Sequence, residues 1–558
     1  MKMKVKGHDD FATRAKENVN QVKNAIWEFL CGVKAFTWEY GDNSNIHGLR
    51  YLTEKKLHWS ERLFWGSFLS VSSVLCVKFI CNAWEQWNEY PVTLSFNERE
   101  LPISYIPFPT VTICHESKAI KLGGDLIESY EALLEARMNN TLKGRDLVLF
   151  NYLSQMCTSF PDKYKFEEKR NLDKYVDESI YDLITEMGNT MNETMFECWW
   201  QSKIVNCSDY VVPILTEEGL CYTFNALNSD QIYTKYMAPG IMNVKNNRRI
   251  AHWHFENGYD DNEGDREYPL RVVDTGRAAS FDMSLYLDEK DFEYRCKGYD
   301  QGYRVILTPP GEALKLQRHT YRVPIAEDTT ITIYPKITLT AKGLRSYNPK
   351  LRNCFFLRER SLKFFKRYSQ ASCEEECLAN FTSYLCGCVR FDQPRDIHTK
   401  ICGSGNIVCI NDAETKFSMS LHPDTYRQKC NCKPTCTHFE YQADIDRVKF
   451  DVVTMNGSQR NFEWSTKNAR LAVFFREMNI ETVKRVEVYT YSDFLAVIGG
   501  LMGLFLGMSA LSAIEFTYYG TLRWYWSAKR EREQNMFVEV EEQKVVSTIP
   551  IDYMEQPY

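Results

Sequence analysis

The stretch FLAVIGGLMGLFLGMSALSAIEF, residues 494–516, decides how the rest of the chain is read. It is long and apolar enough to cross a bilayer, since roughly 20 residues at about 1.5 Å each cover the hydrocarbon core. Yet it carries Gly499, Gly500, Gly503 and Gly507, followed by Ser509, Ser512 and Glu515. A carboxylate within a lone spanning helix costs about 2.5–3.5 kcal/mol on insertion scales, which makes an intramembrane glutamate a functional residue by default. Read as one continuous helix, Gly499, Gly503 and Gly507 form a small-residue stripe, and Glu515 falls near the same face. Two readings of the stripe stay open. It is a tight helix–helix seam, or, with the hydroxyls and the carboxylate, it lines a cation path assembled from several copies.

A second apolar run, LFWGSFLSVSSVLCVKFICNAW, occupies residues 63–84. It lies behind a charged segment and reads as a signal anchor rather than a cleaved leader. Trp84, Trp87 and Tyr90 suit the interfacial belt, and Lys78, about two turns from that edge, snorkels toward it. Basic residues flank both runs on their outer chain sides. Lys2, Lys4, Lys6, Arg14, Lys16, Lys23, Lys34, Arg50, Lys55, Lys56 and Arg62 precede the first, and Lys529, Arg530 and Arg532 follow the second. Both termini are therefore expected in the cytoplasm, with plasma-membrane localisation. All five N-x-S/T sequons, at Asn139, Asn192, Asn206, Asn380 and Asn456, fall between the runs. So do sixteen of the nineteen cysteines, all but Cys31, Cys76 and Cys81. An even count on the presumed outside reads as a disulfide framework.

The expected organisation is a cytoplasmic segment 1–62, a first span 63–84, an extracellular cysteine-rich domain 85–492, a second span 493–519 and a cytoplasmic tail 520–558. Residues 18–33 look amphipathic and helical, and GDNSNIHG, residues 41–48, breaks the pattern as a turn-rich cluster. The stretches FPTVTIC, FDMSLYLD, GYRVILT and TTITIYPKITLT alternate as strands, with helical insertions near 124–138 and 179–188, which gives an α+β ectodomain. Cys373 and Cys377 stand one helical turn apart, as Cys432 and Cys436 do if helical, whereas the C-x-C pairs suit extended ladders. Zinc is disfavoured for these thiolates outside the cell, so no metal is expected, and stacked disulfides bracing a helix pair are the expectation. The tail beyond Trp526, with VEVEEQK, looks solvated. A formal net charge of −6 leaves no basic footprint for nucleic acid. No nucleotide loop, HExxH or nucleophile elbow is present, so neither an enzyme nor a cofactor is expected.

At this point the residues carry a resemblance. The run YSDFLAVIGGLMGLFLGMSALSAIEF resembles the second membrane segment of the epithelial sodium channel/degenerin family, with its Gly-Gly pair, its G-L-F-x-G-A-S pattern and a following Glu. IHGLRYL, with His47 and Gly48, is similar to the family's cytoplasmic His-Gly motif. FPTVTIC ending at Cys114, GLCYTFN around Cys221, and CNCKPTC followed by Tyr441 resemble ectodomain blocks. GYRVILTPPGEA and YPKITLTAKGLRSYNPKLRNC resemble the pickpocket branch.

The resemblance implies a homo- or heterotrimer of related subunits, each with a β-sheet palm, a β-ball, a helical finger and knuckle, and a disulfide-braced thumb. It implies a sodium-preferring, amiloride-sensitive cation channel. By position the bridges are Cys114–Cys221, Cys198–Cys207, Cys354–Cys436, Cys373–Cys432, Cys377–Cys430, Cys386–Cys409 and Cys388–Cys402, which leaves Cys157 and Cys296 for an eighth. Gly507, Met508 and Ser509 fall at the selectivity filter. Gly500, Gly503, Leu504, Ser512 and Glu515 fall along the pore, and His47, Gly48 and Ala496 at gating positions. The chain departs from the family pattern at Met508, where Ala or Ser is usual, at Val497 and at Tyr518, where some members carry an acid, so that Asp493 is the nearest outer carboxylate. The gating stimulus and any extracellular ligand stay unassigned. The competing reading is a two-span glycosylated receptor or lipid-binding protein without a pore; a purinergic-type trimer and an ectoenzyme fit less well.

Overall fold

The computed structural model describes residues 38–537 except 119–125, 158–172, 243–252, 260–267, 314–319, 420–428, 450–466 and the positions 90, 98, 257, 289–290, 295, 299, 524, 528, 531 and 535. The amphipathic segment 18–33, Cys31, Asn456 and the acidic run 538–544 lie outside these. The chain divides into two compact units, one formed by its first 91 residues with those from Glu487 onward, the other by Val92–Val486.

In the first unit a helical stretch at 38–43 ends in a turn at 46–48, followed by the short helix Leu49–Thr53 and the long helix Trp59–Glu89. That long helix is the one among the described residues that meets the length and apolarity for crossing a membrane by itself. It outruns the expected 63–84 at both ends. The second apolar run departs from the expectation of a continuous helix. It forms Tyr491–Leu506, a break, and Ala510–Tyr518, which continues as a π-helical turn through Arg523. The two arms meet the spanning criterion only together, across a bend of 75°.

The break has a local cause. Gly507 takes a left-handed conformation (φ 67°) that costs glycine nothing and other residues about 1–2 kcal/mol. Its N–H closes on the Gly503 carbonyl at 2.9 Å and that of Met508 on the Met502 carbonyl at 3.2 Å. Ser509 then caps the next helix, its hydroxyl accepting from the Ser512 N–H while the Ser512 hydroxyl accepts from the Ser509 N–H. The sequence Gly-Met-Ser is a stop followed by a start. A face shared by Gly507 and Glu515 along one helix does not exist.

Among the described residues the second unit holds two large sheets and three two-stranded pairs. A five-stranded antiparallel sheet runs in the order Thr320–Val323, Tyr303–Thr308, Thr110–His115, Gly219–Phe224, Val211–Thr216. The larger, eight-stranded sheet is organised on the strand Glu327–Thr340, which pairs antiparallel with His438–Lys449 along one edge. On its other edge it pairs in parallel first with Asn468–Phe475 and then with Thr482–Glu487. Pro335, which donates nothing to a ladder, stands in the gap where the parallel partner changes. Thr329, Ile331, Ile333 and Ile337 alternate inward, and with Phe108, Phe224, Phe281 and Phe475 they fill one core across both sheets. Each fully buried aliphatic or aromatic side chain contributes about 1.5–3 kcal/mol.

A second core gathers the helices Leu126–Met138, Arg145–Met156 and Ser179–Met187 around Phe150, Leu153, Ile180, Ile184 and Phe391. The middle helix is additional to the two expected. A buried ion cluster stands at the end of Thr110–His115: Glu218 pairs with Lys118 (2.7 Å), Lys297 (2.8 Å) and Arg304 (2.9 Å), and Arg304 also with Glu116 (3.1 Å).

Eight disulfides close the unit. They are the seven pairs that the resemblance implies, together with Cys157–Cys296. Cys373 and Cys377 lie one turn apart on the helix Gln370–Cys386, and Cys386 ties its end to the helix Ile407–Met419 through Cys409. Two spacing expectations are corrected. Residues 432–436 are not helical, and the C-x-C segments are not extended ladders, because Gly387 (φ 71°) and Asn431 (φ 49°) are both left-handed. A left-handed middle residue turns the second cysteine away from the first, so each reaches a different partner. The sequon residues Asn139, Asn192, Asn206 and Asn380 are exposed.

Candidate functional site

The candidate residues of the first unit sort by face. On Tyr491–Leu506, Phe494 is buried and stacks on Trp87 (4.7 Å), and Phe505 stacks on Phe79 (5.7 Å), so one side of the helix lies on Trp59–Glu89. Ala496, Gly499, Gly500, Gly503 and Leu504 project from the other side and are exposed. A methyl group added at Gly499 or Gly500 would meet nothing within 4 Å. Asp493, the expected outer carboxylate, closes a capping box with Thr490, accepting from the Thr490 N–H (3.0 Å) and hydroxyl (2.7 Å). Val497 and Tyr518 are exposed.

At the break, the turn carrying His47 and Gly48 closes against the second helix. The His47 N–H donates to the Leu506 carbonyl at 3.0 Å, one of the acceptors that a helix end leaves open. The His47 ring lies so close to Gly507 that a Cβ there would overlap it. Gly507 is thus required twice, for its backbone angle and for the ring. Gly48 is itself left-handed (φ 88°) and starts the helix Leu49–Thr53, where Tyr51 stacks on Trp65 at 4.5 Å.

Beyond the break Glu515 is half-buried and Ser512 buried. Asn45 Nδ2 donates to both carboxylate oxygens of Glu515, at 2.9 and 3.2 Å. Tyr40 packs edge-on against Phe516 (5.8 Å) and Tyr519 (5.5 Å), and Arg523 pairs with Glu39 at 2.6 Å. Residues 39–47 therefore follow the second helix from Arg523 up to Leu506. The structure brings His47 onto Gly507 and Asn45 onto Glu515, while Ala496, Gly500 and Gly503 lie further along the helix, exposed. Sequence reasoning missed Glu39, Tyr40, Asn45 and Arg523, which no local pattern links; the Gly-Met-Ser break was signalled by its cap residues. Cys76 is buried and Cys81 exposed, both as free thiols on Trp59–Glu89. No cluster of His, Cys, Asp or Glu suited to a metal ion occurs among the described residues.

Comparison of the sequence with known proteins gives its family. Pickpocket protein 28 of Drosophila melanogaster is 27% identical over 512 residues, covering 89% of this chain and 80% of that protein. Acid-sensing ion channel 4-B of Danio rerio is 22% identical, covering 86% and 75%, and the bile acid-sensitive ion channel of Mus musculus 21% identical, covering 88% and 89%. The family model described as amiloride-sensitive sodium channel matches residues 40–519, from Tyr40 at the foot of the site to Tyr519 beside it. The chain belongs to the amiloride-sensitive sodium channel family, a family of ion channels and not of enzymes.

Proposed function

We propose that the chain is a subunit of a trimeric, sodium-preferring, amiloride-sensitive cation channel of the plasma membrane, alone or with related subunits, gated through its ectodomain. In this reading Trp59–Glu89 and the broken pair around Gly507 are the two spans, both termini are cytoplasmic, and Gly507, Met508 and Ser509 form the filter. Related subunits, membrane lipid and permeant sodium are its assigned partners, and the extracellular ligand is unassigned. The observation that carries it is the break itself. Non-helical backbone at membrane depth is tolerated only where protein covers it or water reaches it. His47 covers one side of Gly507, and the face bearing Ala496, Gly499, Gly500 and Gly503 is open within this chain. Further copies meeting on that face leave freed carbonyls and Glu515 for a partly dehydrated cation.

Voltage clamp of cells expressing the chain, alone and beside a related subunit, tests this. Acid, ligand and stretch stimuli are applied with and without amiloride, together with the Glu515→Gln variant. An amiloride-blocked inward current with lower conductance or altered ion preference in Glu515→Gln supports the channel. Normal surface arrival without current under any stimulus favours the receptor reading.

A further inference from the structure

Asn45 makes the closest polar approach to Glu515, and both of its Nδ2 contacts go to that carboxylate. Its position is fixed from both sides along the chain. The His47 N–H is bonded to Leu506, the Ile46 N–H to the Ser44 hydroxyl (3.2 Å), the Asn43 amide to the Glu39 carbonyl (2.9 Å), and Glu39 to Arg523. Among the described residues no cationic side chain pairs with Glu515. The distinction matters chemically. A lysine or arginine would hold the carboxylate and cancel its charge, whereas a neutral amide holds it and leaves the full negative charge available.

We propose that Asn45 is a specificity-determining residue that fixes the Glu515 carboxylate in one orientation and thereby favours smaller over larger monovalent cations at the inner end of the pore. This rests on the channel reading given above. A carboxylate held by a fixed partner offers its oxygens in a set direction, and ligand number and rigidity decide which ion a site accepts. Freed from the amide, the same carboxylate swings to suit either sodium or potassium, and discrimination falls while conduction persists. Asn45 touches no ion in this account; it acts through Glu515.

The test is a double-mutant cycle on reversal potentials in sodium, lithium and potassium solutions, which do not depend on how many channels reach the surface. Asn45→Ala is expected to lower the sodium-to-potassium permeability ratio by about threefold, which is about 0.7 kcal/mol at roughly 1.4 kcal/mol per tenfold. Asn45→Asp, of the same shape but without the donor, is expected to do likewise. In a Glu515→Gln background Asn45→Ala is expected to add nothing. An unchanged ratio in both Asn45 variants, or the same shift whether or not Glu515 is present, overturns the proposal. Asn45→Cys with Glu515→Cys, in a chain whose Cys31, Cys76 and Cys81 are replaced, provides a reading without current. Linkage by a short bifunctional thiol reagent supports the juxtaposition, and its absence overturns it. Failure of the channel reading is distinct, since then no variant carries cation current while the linkage still forms.

Discussion

Gly507 shows how much rests on one missing side chain. Replacing it with alanine imposes about 1–2 kcal/mol for the left-handed angle, and the new methyl overlaps the His47 ring. The expected outcome of Gly507→Ala is a chain that reaches the surface with reduced current and altered ion preference. His47→Ala in the same chain should recover part of the loss, because the ring vacates the space and only the backbone strain is left. A double variant no better than Gly507→Ala in ion-substitution recordings would show that the ring contact is not what demands glycine. Gly48 is a useful contrast, since a Cβ there meets only Trp65 and Leu69 at 3.8 and 3.9 Å. Its substitution cost is conformational alone. Glu218 poses the opposite problem, a charge whose removal strands its partners. Burial works to raise its pKa, but Lys118 and Lys297 outweigh that and hold it at about 2, below the usual carboxylate range. A carboxyl depressed in the folded state contributes stability that is complete above its ordinary pKa and lost only as pH falls through about 2. Glu218→Gln should destabilise the ectodomain by about 3–5 kcal/mol, the cost of breaking a buried pair from one side. The loss in thermal unfolding should be equal at pH 7 and pH 5; a smaller loss at pH 5 would mean that the carboxylate is already protonated there.

At the scale of elements, the disulfides set what the helices can do. Cys157 ends the helix Arg145–Met156, and its bridge to Cys296 lies inside the helical core. With the two cysteines 139 positions apart in sequence, chain entropy allows at most about 5 kcal/mol, less where other bridges already shorten the loop. Replacing both by alanine should lower unfolding stability by about 2–4 kcal/mol and leave the seven remaining pairs intact in unreduced peptide maps. Either cysteine recovered as a free thiol from surface protein would refute the bridge. The framework was legible in the sequence through even cysteine count and the resemblance, and the strand Glu327–Thr340 through its plain alternation. The C-x-C geometry was not, because spacing says nothing of the left-handed Gly387 and Asn431. Hydropathy hid the break at Gly507 for a related reason. An apolar average treats Gly-Met-Ser as three more residues of one helix, and only cap chemistry reads them as an end and a beginning. Asn45 and Glu515 stand 470 residues apart, so no local pattern could join them.

At the scale of the assembled molecule, the proposed trimer turns a small residue into a gate. Ala496 is exposed on the face opposite Phe494 and Phe505, one turn before the open stretch of Gly499, Gly500 and Gly503. Among the described residues it is exposed, so the limit on its size is expected from other copies. If closing the pore brings three such faces together, glycine on one side leaves room for a methyl group and little more. Packed interfaces are bistable rather than soft, and added volume is accommodated by a change of state more than by gradual deformation. Overpacking costs about 1–3 kcal/mol per site, and three copies sum to several kcal/mol against the closed state, where about 5.5 kcal/mol inverts a 99:1 equilibrium. Ala496→Val is therefore expected to produce a constitutive, amiloride-blocked inward cation current and toxicity in cells that express it. Val497→Ala on the same turn should not, since it removes volume. Whole-cell recording at matched surface level decides the matter: a conducting channel whose open probability Ala496→Val leaves unchanged places the closing contact elsewhere along the helix.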